Sequence, residues 1–176
     1  MNGKRSRTTS KREPESHDAA ESSLGTSSFH ETAPDISTKN ILRDCLYFTA
    51  NALARTISRL ADVEFRSTGL APSHAFLLML VIESPGVAQK ELSRSLQLAP
   101  STVTRMVDAL AAKKLVTRAI SGRTTMVSPT QKGKKLLPTI HEAWWSLRRS
   151  YCEKLGEVEG DELARRIDEA RAELED

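Results

Sequence analysis

Apolar and polar positions split the chain into a polar opening and a long region of mostly helical periodicity. Residues 1–36 are rich in Ser, Thr, Glu, Lys and Arg and poor in large apolar groups, so they are expected to form a disordered tail. Ser37 or Thr38 suits the N-cap of a helix running to about Arg66. Leu42, Leu46, Thr49, Leu53, Ile57 and Leu60 make one stripe along it, with Ile41, Cys45, Phe48 and Ala52 beside it. Two adjacent stripes make a face too wide for one neighbour. The helix would be about 40 Å long and would suit the spine of a dimer.

After Gly69, Pro72 fits the first turn of a second helix through Ile82. Its AFLLMLVI run is apolar all round, which predicts the buried centre of the domain. Ser84-Pro85-Gly86 stops it. A third helix over about Gln89–Leu96 and a fourth opening at Pro100 are separated by a short turn. Residues 115–120 and 124–127 read as strands of a hairpin about Ser121-Gly122-Arg123. Thr130 then starts a helix to about Leu155, and a last helix follows Gly156 and Gly160. Leu137, Ile140, Trp144, Leu147 and Tyr151, and then Leu163, Ile167, Ala170 and Leu174, recur at helix–helix packing intervals. The expected fold is mainly α with a small β-hairpin wing: a winged helix-turn-helix of about six helices.

Charge sharpens this picture. The whole chain carries only +3, but residues 88–135 hold ten Lys/Arg against Glu91 and Asp108, a local +8. Residues 153–176 hold ten acids and four bases. A basic cluster coinciding with a helix-turn-helix and hairpin points to duplex DNA. On a helical wheel Val103, Met106, Val107 and Leu110 of the fourth helix face inward, while Ser101, Arg105, Asp108 and Ala112 face out, flanked by Thr102 and Thr104. Small hydroxyls near a helix N-terminus can donate to phosphates, and Arg105 can reach a base edge. Asp108 would repel phosphate and is expected deeper in the groove or paired with Lys113 or Arg105. At the hairpin tip Arg123 suits a minor groove or a phosphate, with Arg118 and Lys132 at its base. The basic arm Lys4, Arg5, Arg7, Lys11 and Arg12 reads either as a DNA-touching extension or as a solvated tail.

Enzymatic classes are not expected. His17, His30, His74 and His141 are scattered, and no HExxH, phosphate loop or Gly-x-Ser-x-Gly elbow occurs. Neither cysteine has a histidine at zinc-ligand spacing, and no cofactor or metal is anticipated. Two cysteines make no disulfide framework, no apolar run reaches bilayer length and the N-terminus is not a secretory signal, so a cytoplasmic location is expected.

Four segments carry a resemblance to the MarR family of bacterial winged-helix transcription regulators, over about Asn40–Asp176. They are GLAPSHAFLLML, PSTVTRMVDAL, KKLVTR and SPTQKGKKL. The resemblance implies a homodimer held by N- and C-terminal helices: a tail at 1–36, a dimerisation helix at 37–68, a winged domain at 69–130 and further dimerisation helices at 131–176. It also implies a palindromic operator and a repressor released by a small ligand or by oxidation. Ser101, Thr102, Thr104 and Arg105 match the family's recognition-helix positions, and Arg123 its wing arginine. The family's wing carries an Asp two residues before that arginine in a longer loop. Here Ser121 stands there and the hairpin is short.

Cys45, within CLYF, resembles the peroxide-sensing cysteine of the organic-hydroperoxide branch, with Tyr47 and Arg43 nearby. Oxidised Cys45 would then pair with Cys152 of the other subunit; the alternative is that Cys45 is a small core residue. The rival switch is a small aromatic or anionic effector in a pocket walled by Phe48, His74, Phe76 and Trp144, each of which also reads as a packing residue. A winged-helix protein-interaction module that binds no DNA is the other functional class.

Overall fold

The fold is that of a computed structural model, which describes residues 37–175; the expected disordered tail and its basic arm lie outside the described residues. The elements in order are α1 (Thr38–Asp44), α2 (Leu46–Glu64), a 3-10 turn (Phe65–Thr68), α3 (Pro72–Glu83), β1 (Val87–Ala88), α4 (Gln89–Leu96), α5 (Pro100–Ala112), β2 (Val116–Ser121), β3 (Thr124–Pro129), α6 (Gln131–Lys135), α7 (Leu137–Leu155) and α8 (Glu157–Glu175). Eight α-helices thus stand where about six were expected.

The two additional helices come from breaks in runs read as continuous. The first helix is interrupted at Cys45, whose backbone is extended (φ −83°, ψ 117°). No proline or glycine sits there, but α1 buries no residue, so no tertiary packing holds its axis in line with α2. The second break, at Leu136, separates α6 from α7. Pro138 has no N–H to offer the Lys134 carbonyl four residues back, and its ring crowds that carbonyl. Thr130 caps α6 by accepting from the Gly133 amide at 3.0 Å.

α3 fills the centre of the domain as its AFLLMLVI run predicts: Ala75, Leu77, Leu78 and Val81 are buried. Around it gather Phe65 from the 3-10 turn, Leu92 from α4, four residues of α5, Val127 from β3 and Ile140 from α7. The Thr68 hydroxyl stitches the approach to α3, donating to the Phe65 carbonyl at 2.7 Å and accepting from the Leu70 amide at 3.0 Å. Gly69 then turns the chain in the left-handed region (φ 66°).

The hairpin is the outer part of a three-stranded antiparallel sheet ordered β1-β3-β2. β1, with only two residues, is too short to show an alternating pattern. It pairs Val87 with Val127 and Ala88 with Met126, tying the start of α4 to the wing. Across the hairpin Arg118 faces Val127, Ile120 faces Thr125, and Ser121 faces Thr124 around a two-residue turn. Gly122 opens that turn at φ 61°, a position that type II′ hairpins give to glycine.

α7 packs against α2, the 3-10 turn and α8. Much apolar surface stays uncovered on this side. Ile41, Leu42, Leu46 and Phe48 of the first two helices, and Leu163, Ile167 and Leu174 of α8, are exposed. Leu53, Ile57, Tyr151, Leu155, Leu163 and Ile167 line one cavity of ≈ 320 Å³. Among the described residues no single helix is long and apolar enough to cross a membrane.

Two residues give direct tests of this packing. A Cβ at Gly133 would collide with the Leu115 carbonyl and press on Leu78. Gly133→Ala should cost about 1–3 kcal/mol in denaturant unfolding, and wild-type stability would contradict the close approach of α6 to Leu115. In the first turn of α3, His74 has a buried Nδ1 without a partner. Burial, and then the Lys113 charge, lower its pKa from the ordinary 6.5. As pH falls the unfolded chain takes up this proton first, so the histidine's contribution is present above 6.5 and is lost as pH falls towards the lowered folded value. His74→Gln should flatten the fall in stability as pH drops below 6.5; an unchanged slope would remove His74 as a contributor.

Candidate nucleic-acid interface

α5 divides along its length as its apolar spacing predicts. Val103, Met106, Val107 and Leu110 are buried, and Ser101, Thr102, Arg105, Asp108 and Ala112 are exposed. Pro100 starts the helix, and no side chain caps it. Its first turn therefore offers a positive dipole end to an anion. The preceding turn passes through Gln97 in the left-handed conformation (φ 54°), with the Leu98 amide donating back to the Ser93 carbonyl at 3.0 Å.

One hydrogen bond fixes α4 against α5. Gln89 Nε2 donates to Thr104 Oγ1 at 2.6 Å, and Thr104 donates in turn to the Pro100 carbonyl at 2.9 Å. Thr104 was expected as a phosphate contact. It is instead half-buried, with its hydroxyl engaged inside the protein. Arg118 is likewise engaged. It pairs with Asp108 on the outer face of α5, so the carboxylate is answered by the wing and not by Lys113 or Arg105. Arg105 and Arg123 are both exposed and, among the described residues, take part in no ion pair.

Arg123 also lines a ≈ 290 Å³ groove between the wing and the two helices, with Gln89, Lys90, Ser93, Pro100, Thr124 and Thr125. Two cations and no carboxylate face this groove, which suits a phosphate. Sequence reading did not single out Lys90 or Gln89. Their place at the first turn of α4 was visible, but it is β1, pairing with β3, that brings that turn to the wing.

Six of the ten basic residues fall into two groups. Lys90, Arg105 and Arg123 belong to the α4–α5–wing side. Lys113, Lys132 and Lys135 meet at the far end of α5, around a ≈ 360 Å³ cavity with Thr68, Leu70, Leu115 and Leu136. There Lys113 Nζ donates to the Gly69 carbonyl at 2.9 Å, and Lys132 Nζ to the Lys113 carbonyl at 3.0 Å. These lysines hold carbonyls at a helix C-terminus, where the dipole favours cations. Part of the local +8 is therefore structural.

The expected effector residues make ordinary packing contacts. Phe76 packs on Phe65 with ring centroids 5.3 Å apart, Trp144 stands edge-on to Trp145, and Phe48 is exposed beside Tyr47. Cys45 is half-buried at the α1–α2 break, and Arg43 pairs with Asp44 at 3.6 Å. Cys152 is buried, and a Cβ added at Gly160 of α8 would stand 3.3 Å from its Sγ. That burial restricts the access disulfide exchange needs. Among the described residues no group of His, Cys, Asp or Glu has metal-binding geometry.

Residues 68–124 match the sequence model of the MarR family. No curated protein matches the chain. Several solved structures share its fold. The repressor CouR bound to a 23-mer DNA duplex superposes with a TM-score of 0.69 at 20% identity, over 77% of this chain and 98% of that one. CouR from Rhodococcus jostii RHA1 bound to p-coumaroyl-CoA gives 0.63 at 21%, over 76% and 93%. MepR from S. aureus, in complex with DNA, gives 0.64 at 17%, over 73% and 97%. Residues 68–124 thus match the MarR family model, and the fold of the chain around them is the one these solved structures share.

Proposed function

We propose that the protein is a homodimeric, sequence-specific DNA-binding transcription regulator of the MarR type, acting as a repressor released by an effector. Each α5 enters a major groove, and each wing lies against the neighbouring minor groove. The observation that carries this reading is the outer strip of α5. Among the described residues the side chains of Ser101, Thr102 and Arg105 have no internal partner, at an uncapped helix start beside a groove that Lys90 and Arg123 make cationic. Solved proteins of the same fold were captured on DNA, which supports the same use here.

Exposed apolar residues on α1, α2 and α8 support the dimer, with Leu163 and Ile167 of α8 meeting Leu53 and Ile57 of α2 around one cavity, because exposed apolar surface of this extent marks an interaction site. Release by a small anionic or aromatic ligand is favoured over thiol oxidation by two facts. CouR of this fold was captured with p-coumaroyl-CoA, and Cys152 is buried beneath α8. A protein-interaction module of the same fold is the competing class, and salt separates the two. A regulator touching several phosphates should lose orders of magnitude in affinity between about 50 and about 200 mM salt, whereas a protein-binding module retains no duplex even at the lower value.

Arg105→Ala should weaken operator binding by about 1–3 kcal/mol and relax preference at one base position, read by binding to a panel of single-base variants of the selected site. Equal weakening on random duplex would place Arg105 on phosphate alone. Leu163→Asp combined with Ile167→Asp should shift the protein from dimer to monomer in sedimentation velocity and abolish operator binding at the same concentration. A double variant that stays dimeric would move the interface away from α8.

A further inference from the structure

Ile120 is 84% exposed, more than any other large apolar residue described. Most of the others lie on the helices of the dimer side; Ile120 stands alone on the wing, one residue from the hairpin turn. Paired residues of an antiparallel ladder share a face, and that face is fixed here by its inner members. Val116 and Val127 are buried against the helices, so Arg118 and then Ile120, with Thr125 opposite, continue the same face outward. Arg118 on this face reaches Asp108 on the exposed side of α5. Ile120, two residues nearer the tip, therefore overhangs the space between the wing and the free strip of α5.

That space is framed by cations. Arg123 and Lys90 line the groove beside Thr125, the residue paired with Ile120. Arg118, the cation nearest to Ile120 along the strand, is neutralised by Asp108. The wing thus presents one branched apolar side chain beside the positive charges of Arg123 and Lys90. A surface complementary to this is apolar within and anionic at its rims. The minor groove of duplex DNA has that character, since deoxyribose edges wall it and phosphates border it. Apolar side chains pressed into minor grooves also widen or kink the duplex, at a cost that depends on sequence.

We infer that Ile120 is an apolar DNA contact of the wing, packing on the sugar edges of the minor groove next to the major groove that α5 occupies. The inference rests on the DNA-binding reading above and adds a contact that charge alone does not identify. It separates the roles of two neighbouring residues: Arg123 grips phosphate, and Ile120 packs on sugar.

An apolar contact releases no counterions, so the two roles differ in their salt dependence. The test titrates a fluorescent duplex carrying the site selected by the wild-type protein across a salt series. It uses full-length wild type, Ile120→Ser, Ile120→Val and Arg123→Ala. Ile120→Ser should weaken binding roughly tenfold at every salt concentration with the slope of log Kd against log salt unchanged, and Ile120→Val should stay within about threefold of wild type. Arg123→Ala should make the slope shallower by about one. Because Ile120 is exposed, the thermal midpoint of Ile120→Ser should match wild type. Wild-type affinity in Ile120→Ser, or a loss accompanied by a changed slope, would overturn the inference and leave the DNA reading standing. A change in oligomeric state in that variant would assign the residue to a second copy and overturn it too. Failure of the wild type to retain any duplex would remove the DNA reading itself.

Discussion

Burial of one side of α5 is the constraint on which the rest of the molecule depends. Val103, Met106, Val107 and Leu110 lock the helix against α3 and the base of the sheet. With its inner side fixed at four positions, the helix cannot rotate to bury its polar side. Ser101, Thr102 and Arg105 therefore stay in water without any cost being carried at those positions. Side chains buried to this degree contribute about 1.5–3 kcal/mol each, while an exposed polar residue contributes little, so the core sets the geometry and the strip is free to be chosen for recognition. The Gln89–Thr104 bond then sets α4 at a fixed angle to that strip, and β1 does the same for the wing.

Electrostatics refine this arrangement. A carboxylate on the outer side of α5 would oppose any polyanion. Asp108 is instead paired with Arg118 across the angle between helix and wing, which cancels the charge and braces the wing against the helix. The pair is half exposed, so its worth in stability is small; Arg123 and Lys90 at the groove, and Arg105 on the α5 strip, have no carboxylate partner among the described residues. The second basic group, around Lys113 and Lys132, holds carbonyls at the opposite end of α5 and belongs to the architecture.

Elements with a strong local signature were legible in the sequence: α3 with its AFLLMLVI run, α4 over Gln89–Leu96, the start of α5 at Pro100, and the hairpin about Gly122. Which residues of α5 turn inward followed from spacing alone. What escaped was decided by partners distant in sequence. The Arg118–Asp108 and Gln89–Thr104 pairs join residues ten and fifteen apart, and no periodicity forecasts them. β1 was missed because two residues carry no alternation. Pro138 did mark the α6–α7 break, and a stricter reading of it would have found that boundary. The break at Cys45 has no such mark. Summed charge overstated the interface, since it cannot tell lysines bound to carbonyls from those left free.

The central claim is that two α5 strips, related by a two-fold axis, read one duplex. Sequencing the DNA that the purified full-length protein retains from a random pool tests it most directly. The account predicts an inverted repeat whose half-sites lie about one helical turn apart. Retention without an enriched motif, or a single unrepeated half-site, would contradict it.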